Sequence, residues 1–309
     1  MIKRLKFSYS IYNFFNRKKL IHNAHLYKKY GLKKFYFSPI SSKDFRDFRQ
    51  EESIEKSHSL LKDCSAFSAL NASSKESLMN YEENGFAVLD NFFDLNAIEK
   101  INYEIEKLLN EGKVKLMSNH KIMFAIHKSE FLRSIGENKN LKELLNGLMG
   151  EEVKLFQSIN FKTGSEQPTH SDSIHMTTFP LGGLFGVWIA LEDIDSDNGP
   201  LHYYPGSHKL PYYLNSDYDN EGSFLFLGSK DYTEYEKMIE AKIVEYGMKK
   251  TIFTAKAGDV LIWHANLFHG GDPHINKNKT RKSMVLHYFA KNRICYHEIT
   301  QRPALIEEV

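Results

Sequence analysis

The sequence predicts a mainly β protein with a double-stranded β-helix core, a jelly roll of the cupin-like type, flanked by α-helices. Short apolar segments separated by Gly, Pro, Asn and Asp follow one another between residues 153 and 289, as in a β-sandwich or barrel. Segments with apolar residues at helical spacing precede them, from residue 73 to 149. The chain has 309 residues, of which 41% are hydrophobic and 13% aromatic, so it can bury a sizeable core.

Three helices are predicted before the run of strands. Ser73 and Glu76 are spaced as a capping box at the start of a short helix that ends at Gly85. Asp94 is the candidate N-cap of a second helix that reaches about residue 110, because apolar residues recur along one face of it. Those residues are Leu95, Ile98, Ile101, Ile105 and Leu108. A third helix is predicted at 141–149, directly before a glycine.

The predicted strands lie mainly in the second half of the chain. One strand, at 86–89, falls between the first two helices. The others are predicted at 153–161, 170–178, 186–192, 202–204, 251–254, 259–263 and 283–289. An insertion at 212–250 separates the fourth and fifth of these, and its second half, 231–246, is predicted to be a helix rich in Glu, Lys and Tyr.

Residues 1–72 are predicted to be a basic, aromatic-rich accessory region, and residues 73–309 to be the main domain. Residues 1–43 contain eleven Lys and Arg and no acidic residue, which leaves 30 basic against 39 acidic side chains in the rest. We expect the aromatic side chains of this region to pack on the main domain. The alternative is peripheral contact of residues 1–43 with an anionic membrane or an acidic partner. No nucleic acid is expected, because no recognition motif accompanies the charge.

Cysteine content and hydropathy indicate where the protein resides. Cys64 and Cys295 are its two cysteines, which excludes a disulfide framework and fits a reducing compartment. The apolar runs are too short to span a bilayer, and the chain does not begin with an apolar segment before a small-residue cleavage site. The sequence therefore predicts a cytoplasmic protein, peripheral at the inner face of a membrane if residues 1–43 bind lipid.

The segment His170-Ser171-Asp172 places two potential metal ligands two residues apart. On an extended strand alternate side chains point to the same side, so His170 and Asp172 would project together while Ser171 points away. An imidazole and a carboxylate on one face are two of the three ligands of a facial triad. Such a triad leaves three octahedral positions open for a keto acid and oxygen. Taken alone, the pattern arises often by chance.

A third ligand is expected in the run from Gly258 to Gly271, which contains His264 and His269. His269 follows the predicted strand and precedes two glycines that let the backbone turn at a crowded site. His264 is the competing candidate, although a histidine on an aromatic-rich strand is more often part of the core. Twelve residues after His269, Arg281 opens an apolar strand. A guanidinium there requires an anion, such as the distal carboxylate of a dicarboxylic keto acid.

Three further motifs, together with these residues, resemble the phytanoyl-CoA dioxygenase family, which includes ectoine hydroxylase. They are Val187-Trp188-Ile189-Ala190-Leu191-Glu192-Asp193, Asp197-Asn198-Gly199-Pro200-Leu201 and Pro205-Gly206-Ser207-His208. The segment Asn160-Phe161-Lys162-Thr163-Gly164 is similar to the family's strand before the first ligand. The resemblance covers about residues 78–290, and the region before Ser73 and the insertion at 212–250 fall outside it.

The resemblance implies a chemistry and a set of metal ligands. The family's enzymes are Fe(II)- and 2-oxoglutarate-dependent dioxygenases that use O2 and release succinate and CO2. His170, Asp172 and His269 match their iron ligands. Because Asp172 keeps a carboxylate where related halogenases carry a small residue, halogenation is disfavoured. Of the other histidines, His208 is expected in a turn rather than as a ligand, and His175 faces either the substrate or the surface.

Four more residues match positions around the cosubstrate in the same resemblance. Arg281 matches the arginine that binds the far carboxylate of 2-oxoglutarate, and Ser283 is placed to add a hydroxyl to that carboxylate. Trp188 matches a residue beside the cosubstrate, with plain core packing as its alternative role. Asn160 matches a polar side chain that helps to orient the cosubstrate.

The predicted reaction is hydroxylation of a small-molecule, lipid-linked or glycan-linked substrate. The same metal site also supports desaturation, cyclisation or epimerisation, because the position of the substrate over the oxidant decides the outcome. The alternative of a different class is a catalytically inactive jelly-roll binding protein, against which the intact ligands and Arg281 argue. The basic first region and the tyrosine-rich insertion favour a sugar or a lipid-linked glycan intermediate as substrate.

Overall fold

Helices form most of the first half of the chain, and strands form most of the second. The structure is a computed structural model that describes residues 4–48, 57–117 and 120–306. The α-helices are α1 Lys6–Phe15, α2 Asn23–Lys29, α3 Ser57–Lys62, α4 Ser65–Ala69, α5 Ala72–Met79, α6 Tyr81–Asn84, α7 Leu95–Asn110, α8 Glu130–Gly136, α9 Lys139–Met149 and α10 Tyr232–Glu245. The strands are β1 Phe86–Leu89, β2 Lys121–Met123, β3 Val153–Phe161, β4 Met176–Phe179, β5 Leu184–Ala190, β6 Leu201–Tyr203, β7 Thr251–Phe253, β8 Val260–His264, β9 His269–Gly271, β10 Ser283–Ala290, β11 Ile294–His297 and β12 Arg302–Pro303.

The strands form two layers with a core between them. One layer is a six-stranded antiparallel sheet in the order β1-β8-β5-β10-β3-β2, and the other consists of the three-stranded sheets β7-β6-β9 and β12-β11-β4. Trp188 and Trp263 belong to the cluster between the large sheet and β7-β6-β9. Phe156 and Phe289 belong to the cluster beside β12-β11-β4. This arrangement confirms the predicted jelly roll with flanking helices.

The centre of the large sheet is covered on both faces, which explains why β5, β8 and β10 are largely apolar runs without alternation. Every residue of β5 and β10 is buried. Alternate residues of these strands, such as Val187, Ile189 and Met284, pack against the helices on the outer face. The helix α7 begins at the predicted N-cap, where Asp94 Oδ1 accepts a hydrogen bond from the Ala97 backbone at 2.7 Å.

The first predicted helix is divided in two, and its N-cap differs from the prediction. The side chain of Asn71 accepts a hydrogen bond from Ser74 N at 2.8 Å, so α5 begins one residue before Ser73. The expected capping box is therefore wrong, because Asn71, an equally good cap two residues earlier in the chain, makes the bond. The chain leaves helical geometry at Asn80 and ends α6 with Gly85 in a left-handed conformation at φ 79°.

The predicted strand at 170–178 is interrupted, whereas the bounds of the other predicted strands are confirmed to within two residues. His170 forms an isolated bridge with His269. The residues Asp172–Ile174 then form a 3-10 turn before β4 starts. Sequence patterns also missed the helices α1 to α4 and α8, and the strands β2, β9, β11 and β12, which are short and held by pairing with distant strands.

The first region of the chain packs on the small sheet formed by β12, β11 and β4. Leu26, Ile40 and Phe45 share a buried cluster with Phe179 and Tyr296. The rings of Phe45 and Phe179 are stacked with centroids 4.0 Å apart. The expected packing of aromatic residues on the main domain is therefore found for residues 4–48, and the boundary at residue 72 stays a prediction. No helix in the described ranges combines the length and apolar character needed to cross a bilayer.

The insertion packs its helix against the layer that carries the candidate ligands. As predicted, α10 begins at Asp231, whose side chain accepts a hydrogen bond from Thr233 N. Tyr235 and Ile239 of this helix are fully buried in a cluster with Ile174 and Phe268. This cluster lies directly behind the segment that contains His170 and Asp172.

Candidate active site

Three predicted ligands converge in the core between the two layers. His170 Nε2 lies 3.9 Å from Asp172 Oδ1, and His269 Nε2 lies 3.7 Å from the same oxygen. One ligand atom from each residue lies within 4.8 Å of the others, and all three residues are buried. Two imidazole nitrogens and one carboxylate oxygen at this spacing can hold one divalent ion. They form the two-histidine, one-carboxylate set typical of non-haem iron.

Backbone carbonyls set the tautomer of both histidines. His170 Nδ1 donates to Pro168 O at 2.9 Å, and His269 Nδ1 donates to Leu267 O at 2.9 Å. Each Nε2 is therefore left as a lone pair that faces the carboxylate, which is the form that binds a metal. Burial, followed by the neighbouring His269, lowers the pKa of His170 well below its usual value and keeps the ring neutral.

Asp172 is oriented by two residues that sequence reasoning did not select. Trp263 Nε1 donates to Asp172 Oδ2 at 2.8 Å, and His287 Nε2 lies 3.5 Å from the same oxygen. These contacts hold the second oxygen of Asp172, Oδ1, so that it faces the two histidines. The sequence offered no signal for either contact, because Trp263 and His287 lie in strands in which neighbouring residues are buried as well.

Ser171 explains why the side chains of His170 and Asp172 point to the same side although the strand is interrupted. Its backbone is extended, at φ −108° and ψ 148°. Tyr235 of α10 supports it from outside, because its hydroxyl accepts a hydrogen bond from Ser171 N at 3.3 Å and lies 3.1 Å from Ser171 Oγ. Local extension at one residue is thus enough to place both ligands together.

Arg281 is a buried cation with no carboxylate within ion-pair distance in the described ranges. It is 2% exposed, its Nε donates to Gly199 O at 3.0 Å, and its Nη1 donates to Ser283 Oγ at 2.9 Å. Its Cζ lies 5.5 Å from the ring centroid of Trp188 and 5.6 Å from that of Phe161. Burial lowers its pKa to about 10, so it stays charged at neutral pH. Because burying an uncompensated charge costs several kcal/mol, an anionic ligand is needed there.

One cavity joins the metal ligands to Arg281. Its lining includes Trp188, Phe161 and Ile159 together with His170, Asp172 and His269. Ser283 lies on the same face of the sheet as Phe161, its partner in β3. The structure thus brings Arg281, Ser283 and Trp188 to the side of the ligands.

Asn160 is the one predicted site residue that the structure places elsewhere. Its neighbours Ile159 and Phe161 line the cavity, and successive side chains of a strand point to opposite faces. Asn160 therefore faces the outer, helix-covered side, opposite Met284. Its amide atoms are buried without a hydrogen-bond partner in the described part of the chain. From this position the side chain of Asn160 does not face the cavity in which the cosubstrate is expected.

Two polar residues of the cavity carried no sequence signal. Lys121 of β2 donates to Gln167 Oε1 at 2.9 Å, and Gln167 Nε2 lies 3.2 Å from His170 Nε2. Burial lowers the pKa of Lys121, and the charge of Asp172 opposes that shift. Lys121 reaches the site only because β2 pairs with the edge of β3.

The competing histidines lie outside the ligand cluster. His264 Nδ1 accepts a hydrogen bond from Asn266 N at 3.1 Å, and its ring lies 5.5 Å from that of His208. His208 Nε2 donates to Glu82 O at 3.1 Å, in the turn where it was expected. His175 is half-buried, with its ring centroid 5.7 Å from that of His170.

Comparison with known sequences agrees with the ligand set found in the structure. The sequence model of the phytanoyl-CoA dioxygenase (PhyH) family matches residues 81–283. A phytanoyl-CoA dioxygenase domain-containing protein 1 homolog of Caenorhabditis briggsae is 23% identical over 270 residues, which cover 69% of this chain and 89% of that protein. The ectoine dioxygenase of Stutzerimonas stutzeri (strain A1501) is 23% identical over 263 residues, which cover 75% and 83% of the two chains.

Solved structures share the fold. EctD from S. alaskensis, crystallised with 2-oxoglutarate and 5-hydroxyectoine, superposes with a TM-score of 0.55 at 21% identity, over 70% of this chain and 76% of that one. The 2-oxoglutarate-dependent epimerase SnoN from nogalamycin biosynthesis gives 0.56 at 19% identity, over 74% and 87%. With the family match spanning most of both layers and a His-Asp-His set in the core, the chain belongs to the phytanoyl-CoA dioxygenase family and is a dioxygenase that uses iron, 2-oxoglutarate and O2.

Proposed function

We propose that the enzyme hydroxylates a carbon of a small-molecule, lipid-linked or glycan-linked substrate and releases succinate and CO2. The observation that carries the proposal is the buried His170, Asp172 and His269 set beside a buried, uncompensated Arg281. Bound iron and 2-oxoglutarate would supply the oxidising power for O2 to attack a C–H bond. An inactive binding protein would have no need to keep both the ligands and the charge of Arg281 in the core.

Different residues of the chain would bind the iron and the 2-oxoglutarate. His170, Asp172 and His269 would hold iron on one face, which leaves the opposite positions for the keto acid and O2. Arg281 would bind the far carboxylate of 2-oxoglutarate, with Ser283 as a neighbouring hydroxyl. The rings of Trp188 and Phe161 keep that end of the cavity apolar, which strengthens a charge pair by excluding water.

The reaction type is tested by mass spectrometry of products. The enzyme is incubated with Fe(II), 2-oxoglutarate, O2 and fractions of a metabolite extract, and succinate is measured in parallel. Hydroxylation predicts a product heavier than its substrate by one oxygen atom, with label incorporated from isotopic O2. Loss of two hydrogens would instead indicate desaturation or cyclisation, and an unchanged mass with altered chromatography would indicate epimerisation. If no fraction increases the formation of succinate and the extract stays unaltered, the proposed hydroxylase activity is contradicted.

We also propose that residues 1–43 make peripheral contact with an anionic membrane. Phe7 and Phe15 of α1 are 70% and 78% exposed, and Phe224 of the insertion is 93% exposed. The two segments adjoin, because Lys6 N donates to Leu225 O at 3.0 Å. Exposed aromatic side chains beside a stretch with eleven basic and no acidic residues fit the boundary of an anionic bilayer.

The membrane proposal predicts selective binding to charged vesicles. The protein should sediment with vesicles that contain phosphatidylserine and not with neutral phosphatidylcholine vesicles, and added salt should weaken the binding. Phe7→Ser with Phe224→Ser should weaken it by about tenfold or more, because each buried ring contributes roughly 1.5–3 kcal/mol. Tyr103→Ser, an exposed aromatic on α7, serves as the matched control. Equal binding of the double variant and the wild type would exclude this surface.

A further inference from the structure

A second, larger cavity of about 420 Å³ lies next to the metal ligands. One pair of side chains in contact links the linings of the two cavities. Gln157, which lines the larger cavity, has its Nε2 atom 3.5 Å from His287 Nδ1. His287 lines the metal cavity, and its Nε2 atom lies 3.5 Å from Asp172 Oδ2. A molecule in the larger cavity would therefore lie beside the reaction centre.

A β-bulge shapes the wall of this cavity. His287 pairs with Gln157 and Tyr288 pairs with Leu155, so Phe156 is an extra residue in β3. Adjacent residues of a regular strand face opposite sides, but Phe156 and Gln157 both line the cavity. Bulges of this kind redirect a side chain near a functional site. The bulge thus adds an aromatic surface beside the polar pair.

The polar lining of the cavity is basic. Lys19, Lys128 and Arg302 line it, and none of the described residues that line it is acidic. Lys128 is exposed, and its ammonium group has no hydrogen bond or ion pair within the part of the chain described. Arg302 Nε donates to Thr300 Oγ1 at 3.1 Å, and its guanidinium carbon lies 5.5 Å from the ring of Tyr9.

Two neutral groups add hydrogen-bond donors to the cationic ones. Asn13 of α1 lines the cavity, is 1% exposed, and has an Nδ2 atom without a partner among the described residues. His297 Nδ1 accepts a hydrogen bond from Thr300 N at 3.2 Å, so its Nε2 carries the proton. A buried amide without a partner costs about 1–3 kcal/mol unless a ligand pairs with it. Because an anion accepts hydrogen bonds and donates none, these donors make the cavity suited to an anionic group.

We infer that this cavity is the substrate pocket, and that Lys128, Arg302 and Asn13 bind a phosphate or carboxylate group of the substrate. The inference rests on the proposed function and deepens it, because it names the chemical class of the substrate. It also gives residues 4–48 a role, since Asn13 and Lys19 of that region form one wall of the pocket. The first region would then determine specificity as well as contact a membrane.

The test measures binding of three small probes by calorimetry. Phenyl phosphate, benzoate and neutral phenol are titrated without oxygen into enzyme loaded with Fe(II) and saturated with 2-oxoglutarate, which occupies the Arg281 site. Phenyl phosphate or benzoate should bind at least tenfold more tightly than phenol, and the tighter of the two identifies the anionic group. Equal binding of all three probes, or binding of none, would overturn the inference.

Variants locate the bound anion. Lys128→Ala and Arg302→Ala should each weaken the preferred anion by about tenfold or more, the range for one charge-assisted hydrogen bond. Lys128→Arg should retain most of the affinity, and Lys100→Ala, an exposed lysine of α7, should retain all of it. Full affinity in both Lys128→Ala and Arg302→Ala would also overturn the inference. Iron content should stay at the wild-type level in these variants, because neither Lys128 nor Arg302 is among the described residues that line the metal cavity. A wild-type enzyme that binds no iron and forms no succinate from 2-oxoglutarate would contradict the proposed function rather than the position of the anion.

Discussion

Asp172→Ala is expected to remove iron from the protein and to abolish 2-oxoglutarate turnover while the fold persists. The variant loses the carboxylate whose Oδ1 atom lies within 4 Å of both His170 Nε2 and His269 Nε2. Changes to groups that merely support metal ligands cost about 10–100-fold in metal affinity, so loss of a ligand should cost more. The measurements are iron content after reconstitution without oxygen, the rate of succinate formation and the melting temperature.

Two further variants make this test specific. His264→Ala should keep iron, because His264 lies outside the ligand cluster and bonds to Asn266 N. Trp263→Phe removes the hydrogen bond to Asp172 Oδ2 but leaves the carboxylate, so it should weaken iron binding by an intermediate amount. Normal iron content in Asp172→Ala, or iron lost from His264→Ala but not from His269→Ala, would refute the proposed ligand set.

Arg281→Ala is expected to weaken 2-oxoglutarate binding by roughly thirty-fold to several thousand-fold. Removing one partner of a buried charge pair costs about 2–5 kcal/mol, which corresponds to that range. Arg281→Lys should recover only part of the loss. Lysine keeps the charge but not the planar group that donates to Gly199 O and Ser283 Oγ in separate directions. Titration of 2-oxoglutarate with iron present and oxygen excluded gives the affinities.

A cosubstrate analogue shows whether Arg281 acts on the far carboxylate. In 2-oxopentanoate a methyl group replaces that carboxylate, while the part that binds the metal is unchanged. Wild-type enzyme should bind it much more weakly than 2-oxoglutarate, and Arg281→Ala should bind both with similar affinity. If Arg281→Ala discriminates between the two as strongly as the wild type does, another residue binds the carboxylate. Lys121, the other buried cation of the cavity, would be the first to examine.

Much of the fold was predictable because its signals are local. The caps of α7 and α10 follow from Asp94 and Asp231, whose short carboxylates satisfy the first backbone amides. The largely apolar runs of β5, β8 and β10 follow from burial on both faces. The capping box at Ser73 failed because two acceptors competed for one helix start, and Asn71 gained the bond. The break after Ser171 was not predictable, since Ser173 N in the turn donates to Ala265 O in a distant segment of the chain.

The sequence by itself determined the ligand types, their order and the chemistry they allow, because these depend on residue identity and short spacing. His170 and Asp172 come together through one extended residue, and Arg281 requires an anion wherever it is buried. Only the tertiary structure decided what surrounds them. Pairing of β2 with β3 brings Lys121 to the metal cavity, and the bulge at Phe156 places that residue and Gln157 together in the lining of the second cavity. Packing of the first region on the small sheet places Asn13 at the second cavity, because contacts between distant segments depend on the assembled core rather than on local pattern.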